Sequence, residues 1–136
     1  MKKIVISYLF FLFPACCHWT GNICRAQSVF ANPGTITGDQ TIDANTQAQR
    51  IKNSLLPYCN VPYTFSWEYC WEDYYLSGFW SPIPGATSEY YDPGVVSRST
   101  YYRRAINYTE GSVTKKAYSN EVLVKVRDAE ITLTPG

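Results

Sequence analysis

Between Tyr63 and Tyr69 the chain alternates without a break. Tyr63, Phe65, Trp67 and Tyr69 fall on one face of an extended segment, and Thr64, Ser66 and Glu68 fall on the other. At helical spacing the same rings would scatter around a cylinder, so the pattern predicts a strand with one buried face, with Trp67 in the core. A second alternation closes the chain. Within Tyr118–Val126, Val122, Val124 and Val126 alternate against Glu121, Leu123 and Lys125.

Weaker signals fill the rest. Gln27 to Gln47 is polar, with Pro33-Gly34 and Gly38-Asp39 as turn signals and apolar steps at Val29, Phe30 and Ile36, which predicts an opening strand and an exposed loop. Ala48 to Leu56 has some helical propensity but is short and stopped by Pro57, so a second strand is expected there. Phe79–Ile83 and Ser88–Tyr91 read as short strands closed by Pro84-Gly85 and Pro93-Gly94, and Ser99–Asn107 is rich in β-formers. About seven short strands with no helix long enough to cover a parallel sheet predict an all-β, antiparallel sandwich of the immunoglobulin type. Its span is residues 27–126, with 127–136 as a linker or tail.

The first 26 residues are set apart by chemistry. Lys2 and Lys3 precede an apolar run from Ile4 to Ala15, and Cys24-Arg25-Ala26 places small residues at −3 and −1 of a cleavage site, the layout of a secretory signal peptide. The run is too short for a relaxed membrane span, which takes about 20 apolar residues. Phe13-Pro14-Ala15-Cys16 is a poor match to a lipoprotein signal, so an outer-membrane lipoprotein is the lesser alternative to plain secretion or surface exposure.

Cleavage after Ala26 leaves 110 residues, and the loss of Lys2, Lys3 and Arg25 leaves nine basic against 11 acidic side chains, a net charge of −2. Nucleic acid and anionic membranes both need a clustered positive field, which this composition lacks. The paired basic steps Arg103-Arg104 and Lys115-Lys116 read as solvated strand edges. Cleavage also removes Cys16, Cys17 and Cys24. Cys59 and Cys70 remain and suggest one disulfide in an exported domain, against the alternative of two unpaired thiols.

The only histidine, His18, lies in the segment expected to be cleaved. Its loss removes Ser-His-Asp and Cys-His nucleophile activation and the usual zinc sites, and two cysteines cannot build a four-cysteine site. No catalytic residue, metal or cofactor is expected. Glu68, Glu72 and Asp73 are close in sequence, but such a cluster fits a solvated hairpin better than a pair of catalytic acids or a calcium site. Glycines stand singly beside turn partners, so no phosphate-cradling loop is present.

The segments Tyr63-Thr-Phe-Ser-Trp67, Trp80-Ser-Pro-Ile-Pro-Gly-Ala-Thr87, Ser99-Thr-Tyr-Tyr-Arg-Arg104 and Ser119-Asn-Glu-Val-Leu-Val-Lys-Val126 together resemble the immunoglobulin-like, fibronectin type III-like repeats of secreted and surface adhesin-type proteins of Bacteroidota. The resemblance covers about half of the precursor. It implies that Trp67 is the inward tryptophan of a central strand, that Trp80 packs on the adjoining strand, and that Tyr101 or Tyr102 supplies a corner hydroxyl; spacing does not choose between those tyrosines. Where such repeats often carry a cysteine before the Ser-Asn step, this chain has Lys115-Lys116-Ala117, so a Cys59–Cys70 link would be a different, local staple.

From Tyr69 to Trp80 the chain carries Tyr69, Trp71, Tyr74, Tyr75, Phe79 and Trp80, more rings than one strand and its turn can bury. Trp71, Tyr74 and Tyr75 are the binding candidates, because they flank the acids in the least regular part of that stretch. The expected function is a structural or adhesive module meeting envelope or extracellular proteins. The alternative is a small carbohydrate-binding module using the aromatic loop 69–80, with polysaccharide as ligand. Mass spectrometry of the exported protein should find Gln27 at the N-terminus; a lipidated Cys16 there would establish the other export route.

Overall fold

The computed structural model describes residues 27–127. The expected signal peptide, 1–26, and residues 128–136 of the expected tail lie outside the described residues. Along the chain run β1 (Ala31–Asn32), β2 (Thr35–Thr37), β3 (Gln40–Ile42), β4 (Thr46–Gln47), β5 (Lys52–Leu55), β6 (Tyr58–Cys59), β7 (Tyr63–Trp71), a 3₁₀ helix (Glu72–Ser77), β8 (Ser81–Pro82), β9 (Val95–Val96), β10 (Thr100–Glu110) and β11 (Val113–Val126).

Three long strands form the frame of a five-stranded sheet in the order β3-β11-β10-β7-β8. β7, β10 and β11 are antiparallel neighbours, and β3 adds a parallel edge by pairing Gln40 with Val124 and Ile42 with Val126. Across the core from this sheet lie the two-stranded pieces β2-β5 and β4-β9, and a third, β1-β6, pairs separately; the arrangement is all-β and sandwich-like. The core lies between the layers. Trp67, Tyr102, Val122 and Val124 come from the large sheet and meet Ile36, Ala48, Ile51 and Val96 from the facing layer.

The expected alternation of β7 holds in phase, since Trp67 is fully buried, with Tyr63, Phe65 and Tyr69 half-buried on the same face. Register places Tyr101 and Tyr102 on opposite faces. Tyr102 pairs with Tyr69 and points into the core, whereas Tyr101 pairs with Cys70 and lies on the opposite, outer face. Trp80, expected in the core, is also on the outer face, half-buried over the Arg103 guanidinium at 4.1 Å. The chain has already left β7 through the 3₁₀ helix and returns along the outside of the sheet before Trp80.

Two expected elements differ. Ser88–Tyr91 is not a strand; only Tyr91 bridges to Ile51. The carbonyls of this segment are taken by core side chains instead, with the Trp67 indole N–H donating to Ser88 O at 2.8 Å and Arg104 donating to Glu89 O. The last two strands also run further than predicted, joined through the turn at Gly111-Ser112, because Tyr108 to Ala117 pair across the hairpin despite their polar composition. Arg127, assigned to the tail, donates its N–H to Ile42 O at 2.9 Å and so continues the edge pairing.

Cys59 and Cys70 are free thiols. The strand between them forbids a bridge. Seven extended residues from Tyr63 to Cys70 cover about 23 Å, and four residues from Cys59 to Tyr63 can fold back over at most about 14 Å, so the Cα atoms stay about 9 Å apart or more. A disulfide needs them within about 7 Å. The Cys70 thiol is buried, and burial followed by the Glu121 carboxylate pushes its pKa up, against a smaller lowering by Arg103.

Arg104, expected on a solvated edge, is the most deeply buried charge, with no exposed surface. Its guanidinium donates to Asn53 Oδ1, to Glu89 O and to Pro33 O at 2.9 Å, and it lies 5.1 Å from the Phe65 ring centre. One side chain thus ties the large sheet to β5, to the loop before Tyr91 and to the Pro33-Gly34 turn. That turn needs glycine: Gly34 has φ +67°, and a Cβ there would lie 2.4 Å from Leu55 O.

Alternation along β10 aims Arg104 inward, in phase with Tyr102 and opposite Trp67, and β11 bulges against it. The register between β10 and β11 shifts between Arg103 and Ala105, so Ser119 and Asn120 together oppose Arg104. Ser119 Oγ accepts the Arg104 N–H at 3.0 Å. Asn120 turns its amide onto β2, accepting from Ile36 N at 2.7 Å and donating to Ile36 O at 2.8 Å. Replacing Arg104 by Met keeps the volume but leaves three buried oxygens without their donor. We expect a loss of about 3 kcal/mol in urea unfolding, with Arg104→Lys recovering only part because an ammonium cannot reach three separated acceptors.

Candidate functional site

The end of the sandwich where β7 stops is built from Trp71, the 3₁₀ helix and the segment leading into β10. Glu72 N donates to Ser99 O at 3.0 Å, which fixes the helix start against β10, and Gly78 closes the helix with φ +70°. None of the helix residues is buried. Its exposed side carries Tyr74 and Leu76. Leu76 is 99% exposed and Phe79 75%, with Trp71 and Tyr74 also exposed.

Arg98 organises this end. Its guanidinium lies 4.6 Å from the Trp71 ring centre and 5.6 Å from that of Tyr74, and it forms an ion pair with Asp73. The Trp71 and Tyr74 rings are tilted 45° to each other at 6.0 Å, so they do not form one flat platform. Of the three binding candidates, the structure brings Trp71 and Tyr74 together and sends Tyr75 elsewhere. Tyr75 stacks on Tyr101 with ring centres 4.1 Å apart, and its hydroxyl donates to Glu121 on the outer face of the sheet. The hydrogen bond to Glu121 raises the Tyr75 pKa.

Beside Trp71 opens a cleft of about 300 Å³. Tyr69, Tyr91 and Tyr102 are among its lining residues, with Pro84, Val96 and Arg98. Burial pushes the Tyr102 hydroxyl up to about 12 and also raises that of Tyr91, so both stay protonated at neutral pH. Sequence reasoning did not single out Arg98, Leu76 or Tyr91. Leu76 carried a signal, as an apolar side chain in a segment too short and too acidic to bury it.

The three acids near this end do not act as a pair. Glu68 accepts from Arg103 at 2.7 Å and Lys116 at 3.0 Å, Glu72 from Lys125 at 2.9 Å, and Asp73 from Arg98. Glu68, expected on a solvated face, is buried on the outer side of the sheet, where Arg103 is sandwiched between Trp80 and Tyr118 at 4.1 and 4.0 Å. Among the described residues no group of His, Cys, Asp and Glu could hold a metal ion, and no helix is long and apolar enough to cross a membrane.

Fold and site together define an all-β, sandwich-like domain with an aromatic surface and a cleft at one end. Residues 32–128 match the domain of unknown function DUF8696, and the chain belongs to that family. No curated protein and no solved structure matches it.

Burial pushes the Glu68 carboxyl up, but the hydrogen bonds and charges of Arg103 and Lys116 outweigh it and the net shift is downward from 4.5. Its contribution to stability is therefore present above the unfolded value and lost as pH falls through the lower folded value. Unfolding free energies measured from pH 7 down to 3 should fall below about pH 4.5, and Glu68→Gln should flatten that fall while lowering stability at pH 7. An unchanged slope in the variant would mean that Glu68 does not carry it.

Proposed function

We propose that this chain is a secreted or surface-exposed immunoglobulin-like module with a structural or adhesive, non-catalytic role, and that it binds an envelope or extracellular protein through the surface formed by Trp71, Tyr74, Leu76 and Phe79. The observation that carries this reading is the exposure of Leu76 and Phe79 close to a Trp-Tyr-Arg cluster. Exposed apolar side chains of this size, rimmed by an ion pair, mark protein contacts, and Trp, Tyr and Arg are the residue types that most often dominate them. The signal-peptide pattern of residues 1–26 and the resemblance to surface repeats support the location.

A second reading keeps the domain as a carbohydrate-binding module, with the cleft in place of the exposed rings. Its support is the lining of tyrosine rings and neutral hydroxyls, which suits a sugar's apolar face and its hydroxyl groups. The tilt between Trp71 and Tyr74, and Arg98 packed over both, argue against stacking on those two rings.

Beads carrying the exported protein, presented to intact cells of the organism that makes it, should bind them. Protease treatment of the cells should abolish binding, and Leu76→Ser with Phe79→Ser on the beads should reduce it at least about tenfold. Binding lost on periodate oxidation of the cell glycans but insensitive to protease would favour the sugar reading. No binding by the wild type would end both.

A further inference from the structure

We infer that the cleft beside Trp71 takes a single sugar unit that carries a carboxylate, a hexuronate, with the acid group held by the Tyr69 and Tyr91 hydroxyls and by Arg98. This rests on the reading of that cleft as a sugar site, and it names the class of sugar.

The sheet brings three tyrosines together. Tyr69 and Tyr102 lie directly opposite each other on β7 and β10, and the Tyr91 ring packs against that of Tyr102 with centres 5.5 Å apart. All three line the cleft, but their hydroxyls are not equivalent. That of Tyr102 has Thr100 as a hydrogen-bond partner. Those of Tyr69 and Tyr91 have no hydrogen-bond partner among the described residues, and burial alone raises the Tyr91 pKa. A half-buried hydroxyl left unpaired costs free energy that an acceptor on a ligand recovers.

The charges around the cleft make that acceptor an acid group. Arg98 is the one charged residue among those lining it, and no carboxylate lines it. Tyr91 and Tyr102 stay protonated at neutral pH, so they add no negative charge of their own. Arg98 also has capacity to spare. Its Nη2 donates to Asp73, and five N–H donors on a planar fork leave others for a second acceptor. Hydrogen bonds from such donors to a carboxylate are roughly twice as strong as those to a neutral oxygen.

The remaining wall fits a sugar ring better than a bare anion. A volume of about 300 Å³ is far more than a carboxylate fills, and it lies at the small end of ligand clefts, with room for one pyranose ring. Pro84 and Val96 offer apolar contact to the ring's C–H face, and Ser97 adds a hydroxyl. Asp73 is the internal competitor. It holds one edge of the guanidinium that the ligand needs, so removing its charge should strengthen the site.

Titration calorimetry and two-dimensional amide NMR of the exported protein test this, with the methyl glycosides of glucuronate and galacturonate as probes and those of glucose and galactose beside them. At least one uronide should shift the amide signals of residues 96–100 and bind about tenfold more tightly than the neutral sugar of the same configuration. Tyr69→Phe and Tyr91→Phe keep the rings and remove the hydroxyls. Each should leave the circular dichroism unchanged and weaken uronide binding about fivefold. Arg98→Gln should bring the uronide down to the affinity of the neutral sugar. Asp73→Asn should tighten uronide binding about threefold and leave the neutral sugar unmoved, which reads the same charge in a variant that keeps Arg98 over Trp71.

Neutral glycosides that bind as well as the uronides overturn the inference and leave the sugar reading of the cleft standing. Absence of binding by all four probes well above about 1 mM, the weak end of specific association, overturns the inference, and an empty array of neutral glycans would then end the sugar reading as well. Uronide binding that neither tyrosine variant nor Asp73→Asn alters places the ligand elsewhere and overturns it too. So does acetate that competes as tightly as the uronide, because the cleft then reads a carboxylate and no sugar.

Discussion

A guanidinium with no exposed surface has to be paid for by everything around it, and here the surroundings are three neutral oxygens from three separate parts of the chain. Desolvating a charge is costly unless its donors are satisfied, so Arg104 is tolerated only while the Pro33 turn, β5 and the loop before Tyr91 all stand in place. The dependence runs both ways. The Pro33 turn and the loop before Tyr91 have little regular hydrogen bonding of their own, and the planar fork of arginine anchors both of them, with β5, in the core. Its Nε has no partner among the described residues, so even this site is incompletely satisfied. Burial lowers the Arg104 pKa, from a starting value high enough that the group stays charged.

The same large sheet treats its two faces differently. Inward, Trp67, Tyr91 and Tyr102 pack in sequence as tilted rings with centres 5.4 and 5.5 Å apart. Outward, rings and ions alternate, with Tyr75 on Tyr101 and Arg103 between Trp80 and Tyr118. The outer face thus gains cover without a second sheet, since side-chain stems and ring faces shield it while charged heads stay near water. Cover of this kind leaves the ends of the sandwich as the places where apolar side chains stand free.

How much of this could be read from the chain alone follows from the range of the forces involved. The period of two in Tyr63–Tyr69 and in Val122–Val126 is a local signal, and it gave the strands, the inward phase of Trp67 and the sheet class. Arg104 was misread because charge is a poor guide when the acceptors come from residues 33, 53 and 89, far away in sequence. Trp80 and Tyr75 were misplaced for a related reason: ring content predicts burial but not which face of the sheet will supply it. At the aromatic end, Trp71 and Tyr74 were legible as exposed rings in an irregular stretch, whereas Arg98, which packs over both of them, comes from a loop 24 residues later. The missing disulfide was decidable in principle, because the strand that separates the cysteines was itself predicted.

The parallel edge between β3 and β11 joins residues 40–42 to 124–126 across most of the chain. Two of the core's valines, Val122 and Val124, and the Asn120 amide that holds Ile36 arrive on that same last strand. As the polypeptide is synthesised from its N-terminus, the large sheet can gain neither its parallel edge nor two of its four core side chains until nearly the final residue of β11 has emerged. The domain is built to close late and all at once, with loop-closure entropy withheld until the end. Up to that moment the chain stays open and threadable.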